Sequence, residues 1–593
     1  MVEMNLDNKK AILIIFVLGL IAYLSGLNWQ EFTKIDIRYA LFIAEMKQYG
    51  IGIFPTLYGK PYTDYPSLGI LLMYFASLGG NYINMFTAAF PGAVISSITL
   101  ILIYLIGSRV SKRTGWYSVI ISFLSIEYLS QIRGPSLDVY VVFASALSFY
   151  LVYTGDLDKK WKRLIIVPLC FVFGFAFRGP LGFMIPSAVT CGYYLVNRKL
   201  KQCIIFVVLS ALLAVACMAA LIYLSYLYGG KELVQCFLND QIFNRAKSND
   251  YLLYYFIDGL GTYAIIYPLG FLVFIVNLKK LVKNFKDDSP NIHFLRSVST
   301  WMMTILILMT IPGAKNPRYI VSIIPASCLL ASFIFVNYDK NAIFDKLKWF
   351  LLWTCRAVPF ASLLIFTTVV IVFRITKVDI SFDAPVALIA FVALSVAVIF
   401  VHKKISKEKH GFALLAIMAC FMTILQIMII DPIEQNVEGA RKFAVEVERI
   451  REKNRSQICF FDVGPDGDEL KFLANIPQEK RFIPQFINSS LPSEATPGER
   501  NECDYTEANA LKLYTKKMLM GLFPDKDESF PKIEPRYLCY GTGKIKTLPK
   551  ETIYISKAKN FENRIMKELR QDVEIIVSGK MGHQKCVAFK KKD

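Results

Sequence analysis

Long uncharged apolar runs alternate along the chain with short clusters of lysine and arginine. A helix rises 1.5 Å per residue, so roughly 17–25 apolar residues cross a bilayer. Thirteen runs fit that range, near 10–28, 82–107, 115–132, 136–154, 163–177, 180–196, 202–228, 260–277, 297–313, 318–336, 349–373, 383–401 and 411–430. The run 67–80, SLGILLMYFASLGG, holds about 14 residues and fits a re-entrant or interfacial helix. Residues 33–67 are too polar and too broken by glycine and proline to cross, so they form a long first loop. Beyond about 431 the pattern changes. Residues 457–463, 552–556 and 573–577 read as strands, and 436–453 and 507–521 read as amphipathic helices. The expected fold is a polytopic α-helical membrane protein with about 13 transmembrane helices over residues 1–430, followed by a soluble α/β domain over 431–593.

Composition agrees. Of 593 residues, 54% are apolar and only 19% charged, more apolar than a soluble chain of this length would be. The formal charge of +20 sits mostly in short loops, so it calls for lipid headgroups and no nucleic acid. Alternate loops are the basic ones. They carry Arg109/Lys112/Arg113, Lys159/Lys160/Lys162/Arg163, Arg198/Lys199/Lys201, Lys279/Lys280/Lys283/Lys286, Lys340/Lys346/Lys348 and Lys403/Lys404/Lys407/Lys409. The connections between them carry one or two cations each. By the positive-inside rule the N-terminus is cytoplasmic, and an odd number of spans puts the tail outside. The first run has no small-x-small cleavage site and reads as an uncleaved helix.

Of twelve cysteines, eight lie in or beside apolar runs and read as small hydrophobes. Cys459, Cys503, Cys539 and Cys586 lie in the tail, where an oxidising compartment would allow up to two disulfides. No close Cys/His cluster suggests structural zinc. None of the four histidines (His293, His402, His410 and His583) falls in an outer loop of the membrane part, which argues against serine–histidine hydrolysis or histidine-ligated metal chemistry there. A carboxylate-held divalent cation stays compatible with the sequence, and nothing demands one.

The outer connections hold isolated ionisable residues, which are costly at membrane depth and tend to pair or to line a functional cavity. The first loop brings Asp36, Arg38, Lys60, Tyr62 and Asp64. Later connections bring Asp138, Arg178, Arg245, Lys315 and Arg318. Plainer roles compete. Arg38 and Arg178 suit interface anchors, Asp36 suits a surface ion pair with Arg38, Asp138 suits a helix N-cap, and Lys315 and Arg318 suit flanking charges.

Five segments, IDIRYALFIAEM (35–46), GKPYTDYPSLG (59–69), SLDVY (136–140), FGFAFRGPLGFMIP (173–186) and KNPRYIVSIIP (315–325), occur in this order across the membrane part. Together with the large first loop and the tail, they resemble the GT-C superfamily of polyprenyl-phosphate-sugar glycosyltransferases. The nearest branches are the aminoarabinose–lipid A transferases and their protein O-mannosyltransferase relatives. The first loop of that family opens on two adjacent acids. Here Ile35 stands at the first position and Asp36 at the second. Arg178 stands where the family has a basic residue in a K-G-P-like motif, and Tyr65 stands where the aminoarabinose branch has lysine.

The resemblance implies an inverting transfer of a sugar, an amino sugar such as aminoarabinose or galactosamine, from undecaprenyl phosphate to lipid A or a related envelope glycolipid. The expected setting is the outer face of a bacterial inner membrane. It implies Asp36 and Asp138 as catalytic carboxylates. Arg178, Arg245, Lys315 and Arg318 would meet the donor phosphate, where negative charge grows. Arg38, Lys60, Tyr62 and Asp64 would meet the acceptor. Two alternatives are a protein O-glycosyltransferase, in which Asp36 is a true base, and a lipid-linked sugar transporter, which should show repeats and broken helices in matching halves.

Overall fold

The computed structural model describes residues 8–33, 36–57, 60–239, 251–287, 289–313, 315–337, 340–376, 383–460, 468–476, 537–539, 552–565 and 572–592. Among the described residues, nine helices are long and apolar enough to cross a membrane: Asn8–Trp29, Met85–Gly107, Asp138–Leu157, Leu200–Leu238, Pro290–Thr310, Pro317–Val336, Ala342–Val372, Ala384–Lys404 and Lys409–Glu438. The chain is a polytopic helical membrane protein. Its contacts divide it into two compact units. One holds Met1–Gly26, Ala89–Ala220 and Arg245–Pro432; the other holds Leu27–Ala88, Leu221–Asn244 and Ile433–Asp593.

Three of the thirteen expected spans are broken or shortened. The run 115–132 divides into Lys112–Ile121, a 3-10 turn at Ser122–Leu124 and Ile126–Arg133. Ser125 breaks it by leaving helical geometry and accepting the Tyr128 N–H through its hydroxyl, so it starts a new helix in an apolar stretch. The run 163–177 becomes a 3-10 turn and the 12-residue helix Val167–Arg178. The run 180–196 matches a helix of 17 residues, Pro180–Val196. Residues 260–277 are cut at Ile265, whose φ is 74°, and the Ile266–Lys283 helix ends on lysines. Hydropathy counts apolar residues but does not register these local backbone choices.

Within the first unit, the Val167–Arg178 and Pro180–Val196 helices form a tight hairpin. Gly179 sits at φ 63°, a conformation open to glycine, and Pro180 starts the next helix without needing an N–H. Gly174 and Gly182 face each other so closely that a Cβ on either would lie 2.0 Å from the other's carbonyl oxygen. The FGFAFRGPLGF spacing therefore sets this crossing, and Arg178 is the last residue before the turn.

A buried guanidinium organises another part of the same unit. Arg133, 3% exposed, donates to the carbonyls of Ala22, Tyr23 and Ser25 at the end of the Asn8–Leu24 helix. These are carbonyls a helix terminus leaves without internal partners. The same arginine pairs with Asp431 at 2.7 Å, and Gln426 donates to the other carboxylate oxygen at 2.6 Å. Gln426 opens a π-turn, Gln426–Ile430, in the last span.

The second unit carries a five-stranded mixed sheet. Its strands, in chain order, are β3 (Gln457–Phe460), β4 (Tyr537–Cys539), β5 (Thr552–Lys557), β6 (Val573–Met581) and β7 (Gln584–Lys591), after a short β1–β2 hairpin at Thr56–Leu57 and Lys60–Pro61. The order across the sheet is β4-β3-β5-β7-β6. The β4, β3 and β5 strands run parallel, and the pairs β5–β7 and β7–β6 are antiparallel. Three of the expected strands and the 436–453 helix are present, the helix divided at Gly439. The expected helix 507–521 lies outside the described residues.

First-loop residues pack into this unit. Leu41 joins the core with Phe443, Phe460, Phe472 and Ile555. Phe32 and Asn475 exchange two hydrogen bonds at 3.0 Å. Glu31 accepts the N–H groups of Ala440 and Arg441, closing the start of the Arg441–Asn454 helix. Cys459 and Cys586 are buried free thiols, so neither forms the disulfide that the sequence allowed for the tail; burial pushes the Cys459 thiol up to about 12. Cys503 and the Cys539 side chain lie outside the described residues, and Cys236, one of the apolar-run cysteines, is disulfide-bonded.

Adding one methyl group at the hairpin crossing tests this packing. Gly174→Ala or Gly182→Ala should destabilise the protein by about 1–3 kcal/mol through overpacking. Gly261→Ala, where a Cβ meets open space, should not. Thermal unfolding of the purified variants reads the difference, and equal midpoints for all three would remove the crossing as a constraint.

Candidate functional site

The candidate residues gather in two sets, one in each unit. In the first unit Asp138 opens the Asp138–Leu157 helix. Its N–H donates to the Ser136 hydroxyl, and its own carboxylate takes a different partner. Asp138 Oδ1 accepts from Arg178 Nε at 2.7 Å, with the two side chains 7% and 3% exposed. The N-cap role open to Asp138 is thus not the one it has; it anchors a buried arginine. The Arg178 guanidinium lies 6.0 Å from the Tyr319 ring centroid, within cation–π range. Tyr140 and Phe177, each near one member of the ion pair in sequence, stack at 4.1 Å.

Tyr319 brings in the 315–325 segment. Lys315 Nζ donates to the carbonyls of Thr310 and Pro312 at 2.9 Å and sits 5.9 Å from the Tyr255 ring centroid. The Asn316 N–H donates to the Tyr255 hydroxyl at 3.2 Å. Asn316 Oδ1 accepts from the Arg318 N–H at 3.0 Å and from Arg318 Nε at 3.3 Å. Pro317 contributes its carbonyl to the Tyr263 hydroxyl at 3.1 Å, and Gln131 donates to that hydroxyl at 2.9 Å and to Glu127 at 3.0 Å. Tyr263 is fully buried. The charges of Glu127, Asp138 and Arg318 all reach it. Four separate stretches of chain thus meet: 127–140, the 178 turn, 255–263 and 315–319.

Sequence reasoning found Asp138, Arg178, Lys315 and Arg318. It missed Glu127, Gln131, Tyr255, Tyr263 and Asn316, which hold the loop in place. The signal for them was weak. Tyr255 belongs to the aromatic stretch 251–255, which reads as an interfacial belt, Tyr263 lies in the 260–277 run, and Glu127 and Gln131 sit in a run read as an unbroken span.

In the second unit, Arg38 on the Asp36–Tyr49 helix donates to the Tyr62 hydroxyl at 2.6 Å, and its guanidinium lies 5.9 Å from that ring's centroid. Phe42 and Tyr65 pack on Tyr62 at 5.1 and 5.5 Å. Burial alone would lower the Arg38 guanidinium, but the neighbouring Tyr62, Tyr65 and Tyr39 outweigh it and raise it. Burial also raises the Tyr62 phenol above its usual range. Asp64 is half-buried in the turn after Tyr62. Asp36 opens its helix and Lys60 lies on β2, and their side chains lie outside the described residues, as does Arg245. Among the described residues no three His, Cys, Asp or Glu side chains come together as metal ligands.

Residues 63–223 match the model of the dolichyl-phosphate-mannose-protein mannosyltransferase family. That stretch contains Asp64, Asp138 and Arg178. Two crystal structures of ArnT from Cupriavidus metallidurans, one bound to undecaprenyl phosphate and one in the apo state, superpose with a TM-score of 0.65. Each covers 98% of both chains, at 13% and 12% identity. The chain has the ArnT fold. The GT-C resemblance seen in the sequence is borne out by this fold and by the matched family segment. Among curated relatives, an uncharacterized protein of Aquifex aeolicus is 26% identical over 280 residues, covering 46% of this chain and 53% of its own. An undecaprenyl phosphate-alpha-4-amino-4-deoxy-L-arabinose arabinosyl transferase of Pseudomonas savastanoi pv. phaseolicola is 25% identical over 207 residues, covering 33% and 38%. The chain therefore matches about half of the first relative's length and less of the second's.

Removing one member of a buried ion pair leaves the other charge without compensation, at a cost of about 3–5 kcal/mol. Asp138→Ala and Arg178→Ala should each destabilise the protein by that order. The double variant should lose much less than their sum. Unfolding midpoints of the four proteins measure the coupling, and strictly additive losses would show that the pair does not act as one.

Proposed function

We propose that the chain is an inverting glycosyltransferase that takes a sugar, an amino sugar in the first instance, from undecaprenyl phosphate. The acceptor is lipid A or a related envelope glycolipid at the outer face of a bacterial inner membrane. The observation that carries this reading is the cluster of Arg178, Lys315 and Arg318 in a chain of the ArnT fold, with Arg178 held by Asp138.

In such a transfer an acceptor oxygen attacks the anomeric carbon as the bond to the carrier phosphate breaks. The configuration inverts, and the polyprenyl phosphate leaves with an added negative charge. Fixed cations meet that charge without reorganising, a kind of stabilisation that commonly contributes 10²–10³-fold per donor. Asp138 sets the direction of the Arg178 fork through Nε and so acts as a positioning residue. A phosphate acceptor is already nucleophilic and needs no base. A hydroxyl acceptor needs one, and Asp36 is the residue for it. Arg38, Lys60, Tyr62 and Asp64 are the acceptor-side set. An apolar groove of about 210 Å³, lined by Leu252, Phe256, Ile307, Thr310 and Ile311, shares Thr310 with the anchorage of Lys315 and suits a polyprenyl chain.

The second reading is transfer to protein hydroxyls. It is favoured by the family model that matches 63–223, whose description is a protein mannosyltransferase. Mass spectrometry of lipid A and of glycoproteins from cells with and without the gene separates the two. The first reading expects an amino-sugar mass to vanish from lipid A, to return with the wild-type gene and to stay absent with Arg178→Lys, which keeps the charge but loses the fork. A sugar missing only from proteins would establish the second reading, and unchanged profiles would overturn both.

The disulfide at Cys236 fits an oxidising compartment and hence the outward placement of its segment. In intact cells a membrane-impermeant maleimide should modify the Cys236 peptide only after reduction by an impermeant reductant. Modification only after cell lysis would reverse this orientation, and modification of intact cells without reduction would remove the disulfide.

A further inference from the structure

Three membrane helices end their uncharged stretches at one level. After Arg356 the Ala342–Thr376 helix runs through 357–373 without a charge. The Ala384–Lys404 helix is uncharged from 384 to 401 and then reads His402-Lys403-Lys404. The chain after Lys409-His410 is uncharged from 411 to 430. The side chains at these three boundaries meet. Arg356 Nη2 lies 3.1 Å from His410 Nε2, so the arginine donates to the neutral imidazole, and the His402 and His410 rings stand 5.8 Å apart, edge to face. Each uncharged stretch is long enough to cross a bilayer or nearly so. The Arg356–His402–His410 contact therefore marks one membrane boundary, at headgroup depth.

That boundary is strongly cationic. Arg356, Lys403, Lys404 and Lys409 are exposed, and among the described residues none of them has a carboxylate partner. Among the described residues Arg356 makes its polar contact with His410 through Nη2. One and two turns before Arg356 on its helix, Trp353 and Trp349 are 53% and 69% exposed, at the spacing that puts all three on one face. Tryptophan at the apolar–polar boundary beside basic side chains is the arrangement that receives a lipid headgroup between helices. The guanidinium supplies a planar donor edge for a phosphate, and the lysines favour a net negative headgroup over a zwitterionic one.

We propose that the boundary formed by Arg356, His402 and His410, with Trp349 and Trp353 beside it, is a binding site for an anionic phospholipid headgroup. This site is separate from the Arg178–Asp138 cluster and does not depend on the transfer reaction. Its occupant is a structural lipid of the surrounding bilayer, held by its phosphate.

Native mass spectrometry of the delipidated full-length protein tests it, with dioleoyl phosphatidylglycerol as the probe and dioleoyl phosphatidylcholine as the reference. The wild type should retain phosphatidylglycerol at lower lipid concentrations than phosphatidylcholine. Arg356→Gln/His410→Gln should bind phosphatidylglycerol about fivefold more weakly or worse, the loss expected for one basic contact at a membrane surface. Lys403→Gln/Lys404→Gln should weaken it in the same direction, and unfolding midpoints measured without lipid check that both variants are folded. No preference in the wild type, or the same preference in a folded Arg356→Gln/His410→Gln protein, would overturn the site. Displacement by free glycerol phosphate at equal concentration would also overturn it, since a soluble anion rather than a lipid would then be the ligand.

Discussion

A charge buried inside a helical membrane bundle needs a partner where it stands, and among the described residues two buried arginines of the membrane part find a carboxylate. Arg178 pairs with Asp138 and Arg133 with Asp431, both at 2.7 Å and each guanidinium only 3% exposed. The pairs serve different ends because their remaining neighbours differ. Arg133 spends its other donors on carbonyls at the end of the first helix and ties that end to the last span. Arg178 stands instead at a glycine-pinched turn beside Tyr319, in the cluster that also holds Lys315 and Arg318. The first is anchorage; the second is a cation held ready in a fixed direction.

Around Arg178 the structure shows how a membrane protein makes polar loops rigid. Tyr255, Tyr263 and Asn316 bond to the backbone of the 315–319 segment or fix its side chains, and Gln131 holds the Tyr263 hydroxyl. Buried phenols supply a donor and an acceptor at the end of an apolar body, so they hold a loop without adding a charge to a low-dielectric setting. The second unit uses a related device, with Arg38 held by the hydroxyl and ring of Tyr62.

Much of this was legible beforehand. FGFAFRGPLGF already contained the turn glycine, the proline that starts the next helix and the two glycines of the crossing. Asp138 and Arg178 were singled out although each had a plainer role. The length of the spans was less legible. Ser125 and Ile265 interrupt stretches that are apolar enough to look continuous, because a helix break is a matter of hydrogen bonding and φ, which an average over hydrophobicity does not carry. The helpers of the 315–319 loop were hidden because tyrosine and glutamine in an apolar run resemble belt or filler residues until their partners are known.

From sequence alone came the polytopic class, the positions of most spans, the change of character near 431, the GT-C resemblance and the acids and bases worth watching. All of these are properties of neighbouring residues, written in local periodicity, charge and short motifs. Only the folded chain decided who pairs with whom. Arg133 meets Asp431 across 298 positions, Glu31 closes a helix that begins at Arg441, and the first loop joins the core of the tail through Leu41. Such partnerships depend on burial, which removes water as the competing partner and makes a distant carboxylate the best remaining one. Burial is a property of the packed molecule, and no short window of the sequence contains it.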